Sequence, residues 1–499
     1  MDAFAIISIL LVIWLARTLL PPRSHKGIET VGRSWKNALI LDNPVSDLVE
    51  KGYRNIIKAS QKPFLVRYWD KDYVILPLKY LIDVKHADKK HLSFNDSIPD
   101  VFFLNFWVGD LYQNDRMVYT VKKGLNPQLP EASDICLNEA AYAFEAEFGD
   151  CTEIKRFNAI QTLTNATIRA VTPVIVGEEL ARDEEFLKAA NTYFQGNFLT
   201  GVILLKLPLG IFRAILGSPI AYFQRRNLRK IVGIVSPVVL KRIREKAQRI
   251  QKPRRIDGIE WTLKLAEQDQ TDTEQSTLIC TELIQSLWAA GASPAAIITQ
   301  MVFHVLADPS YLEPMRKEVE DAVAKHGWSE KIINDLPLQD SFIREVNRFY
   351  PIFTLNCTRT VIHKPFKFCD GFTLPAGTRF AFPAGPSQLD PDHCDNPDQF
   401  DGFRFAKLTK AESRADDKVN TWAASHVGPA NLTFGFGNHV CPGRFFAVRI
   451  MKIIFSKLIY EYDISWDRTE PGQPSVFKIE GLSTPNHLQA IFLEKRVLP

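Results

Sequence analysis

The sequence predicts one large, mostly helical domain. Because 499 residues exceed the usual size of a single hydrophobic core, two domains would be the default expectation. However, no stretch rich in Pro, Gly and Ser interrupts the middle of the chain, and the 46% of hydrophobic residues, with 33 phenylalanines, can fill a sizeable core. Residues 276–307 are apolar around most of a helix circumference, which is typical of a buried helix.

An apolar segment opens the chain. Residues 3–20 carry one charge, Arg17, and eighteen helical residues at about 1.5 Å each reach about 27 Å, enough for one membrane crossing. The chain starts Met-Asp and runs into two prolines, which favours a retained anchor over a cleaved signal peptide. Basic residues then form the flank that stays cytoplasmic: Arg23, His25, Lys26 and Arg33. We expect residues 1–22 to form an anchor with a proline hinge, and residues 23–499 a cytosolic domain.

Charge and cysteine content exclude several classes of protein. The net charge of +4, from 61 basic and 57 acidic residues, gives no field strong enough to imply a nucleic-acid partner. Seven scattered cysteines form no paired framework, no Cys-x-x-Cys and no Cys-x-x-Cys-His. This pattern predicts a reducing compartment, and it argues against structural zinc and covalently attached haem.

Residues 434–443, Phe-Gly-Phe-Gly-Asn-His-Val-Cys-Pro-Gly, carry the strongest chemical signal. Three glycines beside Cys441 can adopt positive φ and let the backbone approach a flat cofactor, while amide N–H groups of the turn can point at the sulfur. His439 stands two residues before the cysteine. The combination suits a thiolate held under a metal porphyrin, and the alternative is a buried free cysteine in a glycine-rich turn.

The spacing Phe-x-x-Gly-x-His-x-Cys-x-Gly resembles the haem-binding signature of the cytochrome P450 family. The resemblance implies the P450 fold, mainly α with small β-sheets. It also implies haem b as cofactor, with Cys441 as the axial thiolate ligand of the iron and with Phe434 and Gly435 in the cofactor-binding loop. Microsomal members carry an N-terminal anchor and a proline hinge, so the resemblance implies a single-pass protein of the endoplasmic reticulum membrane.

The apolar segment 276–307 contains a proline, Pro294, which should kink the helix and leave the carbonyl of Ala290 unpaired. In the family this segment matches the oxygen-binding helix, whose usual pattern has an acid followed by a threonine. By that resemblance Ala292 replaces the acid, and Ser293 keeps a hydroxyl that could relay protons in catalysis. The alternative is a kinked core helix in which Ser293 bonds back to the carbonyl four residues earlier.

Glu345 and Arg348 are three residues apart, on one face of a predicted helix. Alone such a pair is usually a solvated surface pair, but its position matches the Glu-x-x-Arg helix of the family. The resemblance adds a third partner, Arg404, from a segment rich in phenylalanine. We expect a buried triad with a structural role.

Haem propionates need cations or hydrogen-bond donors. The resemblance points to His439 by its motif, to Arg359 by its place after the Glu-x-x-Arg helix, and to Lys122 at a position where relatives usually have an arginine. A solvated surface lysine is an equally good interpretation of Lys122.

The predicted substrate pocket is apolar, which suits a lipophilic small molecule. Aromatic clusters in helices belong to a core more often than to a pocket, so a core position is the alternative for each aromatic residue. The pocket candidates are Phe102, Phe103, Ala289, Ala290 and Ile352.

The chain contains neither a dinucleotide-binding Gly-x-Gly-x-x-Gly after a strand nor a phosphate-binding loop, which indicates that it has no reductase of its own. The resemblance implies electrons from NADPH through a separate membrane-bound NADPH-cytochrome P450 reductase, with cytochrome b5 as a further candidate partner. Residues 307–316 and 401–405 resemble those of filamentous-fungal members that oxidise terpenoids and polyketides in secondary metabolism.

The leading hypothesis is a haem-thiolate monooxygenase that inserts one oxygen atom from O₂ into such a molecule. Two alternatives remain at this stage. The missing acid at Ala292 and the presence of Pro294 motivate an isomerase or dehydratase that needs no NADPH, and the third hypothesis is a haem-binding sensor without enzymatic activity.

Overall fold

Helices make up most of the described chain. The structure is a computed structural model that describes residues 8, 12, 27–32, 45–207, 213–249, 254–265, 271–412, 420–466 and 472–497. Its α-helices are Val45–Gly52 (α1), Leu81–His86 (α2), Asn105–Val108 (α3), Arg116–Tyr119 (α4), Leu129–Phe148 (α5), Ala159–Val176 (α6), Glu184–Lys206 (α7), Arg213–Ile220 (α8), Tyr222–Ala247 (α9), Gly258–Leu265 (α10), Asp272–Ala307 (α11), Leu312–His326 (α12), Pro337–Phe349 (α13), Ala384–Gln388 (α14), Arg404–Glu412 (α15) and Arg444–Glu461 (α16).

Short strands form small sheets beside the helices. The strands are Glu29–Thr30 (β1), Phe64–Tyr68 (β2), Lys71–Ile75 (β3), Leu92–Ser93 (β4), Lys155–Asn158 (β5), Asn356–Val361 (β6), Phe366–Lys367 (β7), Thr373–Leu374 (β8), Arg379–Phe382 (β9), Tyr462–Trp466 (β10), Val476–Ile479 (β11), Leu482–Pro485 (β12) and Ala490–Lys495 (β13). The largest sheet has the order β1-β2-β3-β9-β6-β4, a second has the order β10-β13-β5, and β7-β8 and β11-β12 are pairs. The predicted class, mainly α with small β-sheets, is confirmed.

The long helix α11 lies at the centre of the helical part and packs against α6, α9 and α16. It begins four residues before the predicted start, because Thr271 and Glu274 form a reciprocal capping box at its N-terminus. Pro294 lies inside the helix, which continues without a break to Ala307. Most of its side chains are buried, as its apolar composition predicts.

An irregularity in β6 helps to position a basic side chain. The strand pairs antiparallel with β9, and its register shifts between Asn356, opposite Phe382, and Arg359, opposite Phe380. Cys357 lies within this shift at a φ of +54°. Because a bulge changes the direction of the side chains that follow, it affects where the Arg359 side chain points.

The predicted membrane anchor, residues 3–20, lies outside the described residues except for Ser8 and Val12, and the proline hinge also lies outside them. Among the described helices, α11 alone is long and apolar enough to cross a membrane by length and composition, and 67% of its most apolar stretch is buried inside the fold.

Candidate functional site

A mainly apolar cavity of about 490 Å³ is lined by α11, by β6, by the loop before α16 and by parts of the segment 89–125. It brings together residues that are far apart in the sequence. The predicted site residues that line it are Ala289, Ala290, Ser293, Ile352, Arg359, Phe434, Gly435, His439 and Cys441.

Cys441 lies in the cavity wall, just before α16. Its backbone N–H donates to the carbonyl of Phe434 over 2.8 Å, which closes the loop. Burial raises the pKa of the thiol above its usual value, and the backbone N–H groups of Gly443 and Arg444, with the Arg444 charge, offset part of that rise. The sulfur therefore has donors that favour its thiolate form, as expected for a turn of this composition.

Two of the three glycines in this loop need their conformational freedom. Gly435 and Gly437 have φ values of +77° and +72°. A Cβ at Gly437 would lie 2.7 Å from the Cα of Lys85, so a side chain there would collide with backbone. Gly443, which was also expected to be able to adopt positive φ, has a φ of −86° because it is the residue before the first turn of α16.

Arg359 places a buried positive charge at the cavity. It is 2% exposed, burial lowers its pKa to about 10, and it forms no ion pair with any carboxylate of the described residues. It donates instead to the carbonyls of Thr358, at 2.7 Å, and Phe436, at 3.4 Å. A buried guanidinium without an anion is costly, so an anionic ligand in this cavity would stabilise it.

His439 adds a free polar atom to the same wall. Its Nε2 is buried and has no hydrogen-bond partner within the described chain. Burial and then the nearby Arg359 charge lower its pKa to about 3, so the ring is neutral and one of its nitrogens carries a proton to donate. The Phe94 ring lies 5.5 Å from the imidazole and 5.3 Å from the Arg359 guanidinium carbon.

Lys122 does not line the cavity. It is exposed on the short π-helical turn Thr120–Leu125, and its charge contributes to lowering the pKa of His439. The lysine in the cavity wall is Lys89, which donates to Asp115 over 2.8 Å. The sequence did not point to Lys89 or Asp115, because no motif surrounds either residue.

Glu345, Arg348 and Arg404 meet away from the cavity lining. Arg348 donates from Nε and Nη2 to the two Glu345 oxygens, each over 2.8 Å, and Arg404 Nε lies 3.3 Å from both oxygens. Burial opposes the charge of Arg348, but the bonds to the fully buried Glu345 raise its pKa overall. The backbone N–H of Asp401 also donates to Glu345, over 2.9 Å. The group therefore ties α13 to the segment that leads into α15.

Ser293 is exposed to the cavity from α11. Ser286 and Thr299 of the same helix donate their hydroxyl protons to carbonyls four residues earlier. No such bond is made by Ser293 to any described residue, so its hydroxyl is available to a ligand in the cavity. The neighbouring Ala292 supplies no polar group.

Phe102 and Phe103 are core residues and are absent from the cavity lining. Both have positive φ, +62° and +55°, in a short turn before α3. This backbone directs the Phe102 ring to Trp69, 5.0 Å away, and to Trp288, 5.6 Å away. The pattern of aromatic residues could not predict this arrangement, because it depends on the left-handed turn.

Comparisons with known proteins identify the family of this chain. The family profile described as Cytochrome P450 matches residues 114–492. The cytochrome P450 monooxygenase sirB of Leptosphaeria maculans is 37% identical over 480 residues, covering 95% of this chain and 91% of its own. The cytochrome P450 monooxygenase janP of Penicillium janthinellum is 28% identical, covering 92% of this chain and 87% of its own. Ent-kaurene oxidase P450-4 of Gibberella fujikuroi (strain CBS 195.34 / IMI 58289 / NRRL A-6831) is 27% identical, covering 90% of this chain and 88% of its own.

Among solved structures, the retinoic acid-bound cyanobacterial CYP120A1 matches with a TM-score of 0.64 at 17% identity, covering 91% of this chain and 96% of that one. At this level of identity the match shows that the two chains share a fold.

Proposed function

Since this chain belongs to the cytochrome P450 family, has the fold of that family and is an oxygen-incorporating oxidoreductase, we propose that it oxidises a terpenoid or polyketide intermediate of fungal secondary metabolism. The family implies a haem cofactor, a redox partner and, in general, a lipophilic substrate. In this proposal the electrons come from NADPH through a separate NADPH-cytochrome P450 reductase, and cytochrome b5 is a further candidate donor.

The proposal includes the arrangement in the cell. Residues 1–22 anchor the chain in the endoplasmic reticulum membrane, and residues 23–499 form the cytosolic catalytic domain. The apolar segment 3–20 and the basic residues after it support this arrangement.

The chemistry of the cavity wall fits a haem. Cys441 offers a thiol with donors around the sulfur, Gly435 and Phe434 line the loop beside it, and the unpaired His439 Nε2 and the Arg359 charge would hold propionates. Lys122 lies outside the cavity, and its charge would attract the propionates from the side of His439. The haem, held by a thiolate, would supply oxygen binding and O–O cleavage.

The chain's own residues perform three tasks in this account. The apolar wall, with Ala289, Ala290 and Ile352, orients a lipophilic substrate and excludes water. Backbone N–H groups of Gly443 and Arg444 offset part of the rise that burial causes in the pKa of Cys441, and they would stabilise the thiolate that a haem iron binds. The free hydroxyl of Ser293 moves protons into the cavity, with no carboxylate at Ala292 to assist it. The triad of Glu345, Arg348 and Arg404 has a structural role.

The single observation that carries this proposal is that Cys441, Arg359, His439 and Ser293, which lie up to 148 positions apart in the sequence, line one cavity. Turnover of candidate substrates with and without NADPH and reductase tests it. We expect no product when either is omitted. Product formed without both would favour the isomerase or dehydratase chemistry instead. The relatives, a series of monooxygenases and oxidases, do not support that alternative or the non-enzymatic sensor.

A further inference from the structure

One wall of the cavity carries two further polar residues, Ser286 and Tyr112, in addition to Ser293. Ser286, Ala289, Ala290 and Ser293 all line the cavity and lie on one face of α11. The two serines are seven positions apart, which places them about 10 Å apart along the helix axis. Tyr112, from the segment between α3 and α4, lines the same cavity.

Tyr112 is tied to this part of α11 by a chain of buried hydrogen bonds. Its hydroxyl donates to Gln285 Oε1 over 2.9 Å, and Gln285 Nε2 donates to the hydroxyl of Tyr193, in α7, over 2.6 Å. Gln285 precedes Ser286 in the sequence, and the side chains of Gln285 and Tyr193 are both buried. Because both ends of the amide are engaged, the Tyr112 hydroxyl has a fixed position in the wall.

The hydroxyl groups of Tyr112 and Ser286 both donate their protons to hydrogen bonds within the protein. The Tyr112 proton is donated to Gln285, and Ser286 donates its proton to the carbonyl of Glu282 over 2.8 Å. Burial also raises the pKa of Tyr112, so the phenol stays neutral at any physiological pH. What remains on each oxygen are its lone pairs, which can only accept hydrogen bonds.

We propose that Tyr112 and Ser286 bind a hydrogen-bond donor of the substrate. Resting on the proposed function, this inference narrows the substrate class to a lipophilic skeleton that bears a hydroxyl or a secondary amide N–H about 10 Å from the carbon oxidised near Ser293. A skeleton whose polar atoms only accept, such as an ether or a ketone, leaves both oxygens of this wall without a partner. Tyr112 is then a specificity-determining residue, and Gln285 is its positioning residue.

The test uses the purified, haem-loaded full chain and N-alkylimidazoles, whose ring nitrogen binds haem iron and shifts the Soret band. The tail lengths form a series that brackets about 10 Å. The tails end in a primary alcohol, its methyl ether, a secondary amide or its N-methylated form. Each methylated tail keeps the acceptors of its partner and loses the donor, so the ratio of dissociation constants within a pair measures recognition of the donor alone.

At one tail length we expect the alcohol or the secondary amide to bind about threefold to tenfold more tightly than its methylated partner. If the alcohol shows this preference, the recognised group is a hydroxyl, and if the secondary amide shows it, the recognised group is an N–H. Tyr112→Phe removes this preference and keeps the ring. Tyr222→Phe, at an exposed tyrosine, retains the preference. If Tyr112→Phe binds no haem, Ser286→Ala replaces it, and a reduced preference is expected.

No preference at any length in the wild type, or a preference that survives Tyr112→Phe, overturns the inference while the family chemistry stands. A wild-type protein that shows no imidazole-bound haem spectrum refutes the proposed function itself.

Discussion

Arg348 and the fully buried Glu345 are joined by two hydrogen bonds of 2.8 Å each, and Arg404 Nε lies 3.3 Å from both oxygens of the same carboxylate. Removal of Arg348 would leave the Glu345 charge without its strongest partner. Breaking a buried pair in this way typically costs about 3 to 5 kcal/mol.

We therefore predict that Arg348→Ala yields protein with little bound haem and a lower melting temperature. The ratio of Soret to protein absorbance measures the first effect, and thermal unfolding the second. Arg54→Ala is the control, because its ion pair with Glu50 is exposed and should contribute less than about 1 kcal/mol. Normal haem content in Arg348→Ala would refute the structural role of the triad.

Two glycines of the cysteine loop give a matched pair of substitutions. Gly437→Ala places a Cβ 2.7 Å from the Lys85 Cα at a φ of +72°, so we expect a loss of more than about 1 kcal/mol and reduced haem retention. Gly443→Ala meets nothing within 4 Å at a φ of −86°, and we expect near wild-type haem retention. Equal behaviour of the two variants in a haem-release assay would argue against the loop geometry.

Ser293 is predicted to deliver protons. Ser293→Ala should lower product formation by at least about tenfold, because the alanine offers no hydroxyl and Ala292 no carboxylate. Substrate binding, followed by the change in haem spin state, should stay unchanged, and Ser293→Thr should restore turnover. Unchanged turnover in the alanine variant would remove Ser293 from the mechanism.

His304 gives a prediction about acid stability. Its ring is 3.7 Å from that of Phe400, its Nε2 has no partner among the described residues, and burial lowers its pKa to about 3. In the unfolded chain the imidazole takes up a proton near pH 6.5, whereas in the folded protein it stays neutral. Stability is therefore lost as the pH falls from about 6.5 towards 3, at up to about 1.4 kcal/mol per pH unit.

His304→Phe removes this source of pH dependence while it keeps an aromatic ring beside Phe400. Melting temperatures measured between pH 7.5 and 5 should fall less steeply in the variant than in the wild type. Parallel curves for the two proteins would show that His304 does not titrate as a buried neutral group.

Local sequence patterns predicted much of this site. The cysteine loop, the Glu345–Arg348 pair and the cavity face of α11 depend on spacings of three to ten residues, and the backbone places such residues together. The start of α11 at Asp272 was missed because the cap formed by Thr271 and Glu274 lies outside the apolar pattern. Lys89 and the Tyr112–Gln285–Tyr193 chain depend on contacts between distant segments, which no local pattern encodes.

The central claim, that Cys441 holds haem iron as a thiolate, is tested most directly by the spectrum of the reduced, purified protein under carbon monoxide. The account predicts the red-shifted Soret band of a thiolate-bound haem, and its loss in Cys441→Ala. The spectrum of a histidine-bound haem in the wild type, or an unchanged spectrum in Cys441→Ala, would contradict it.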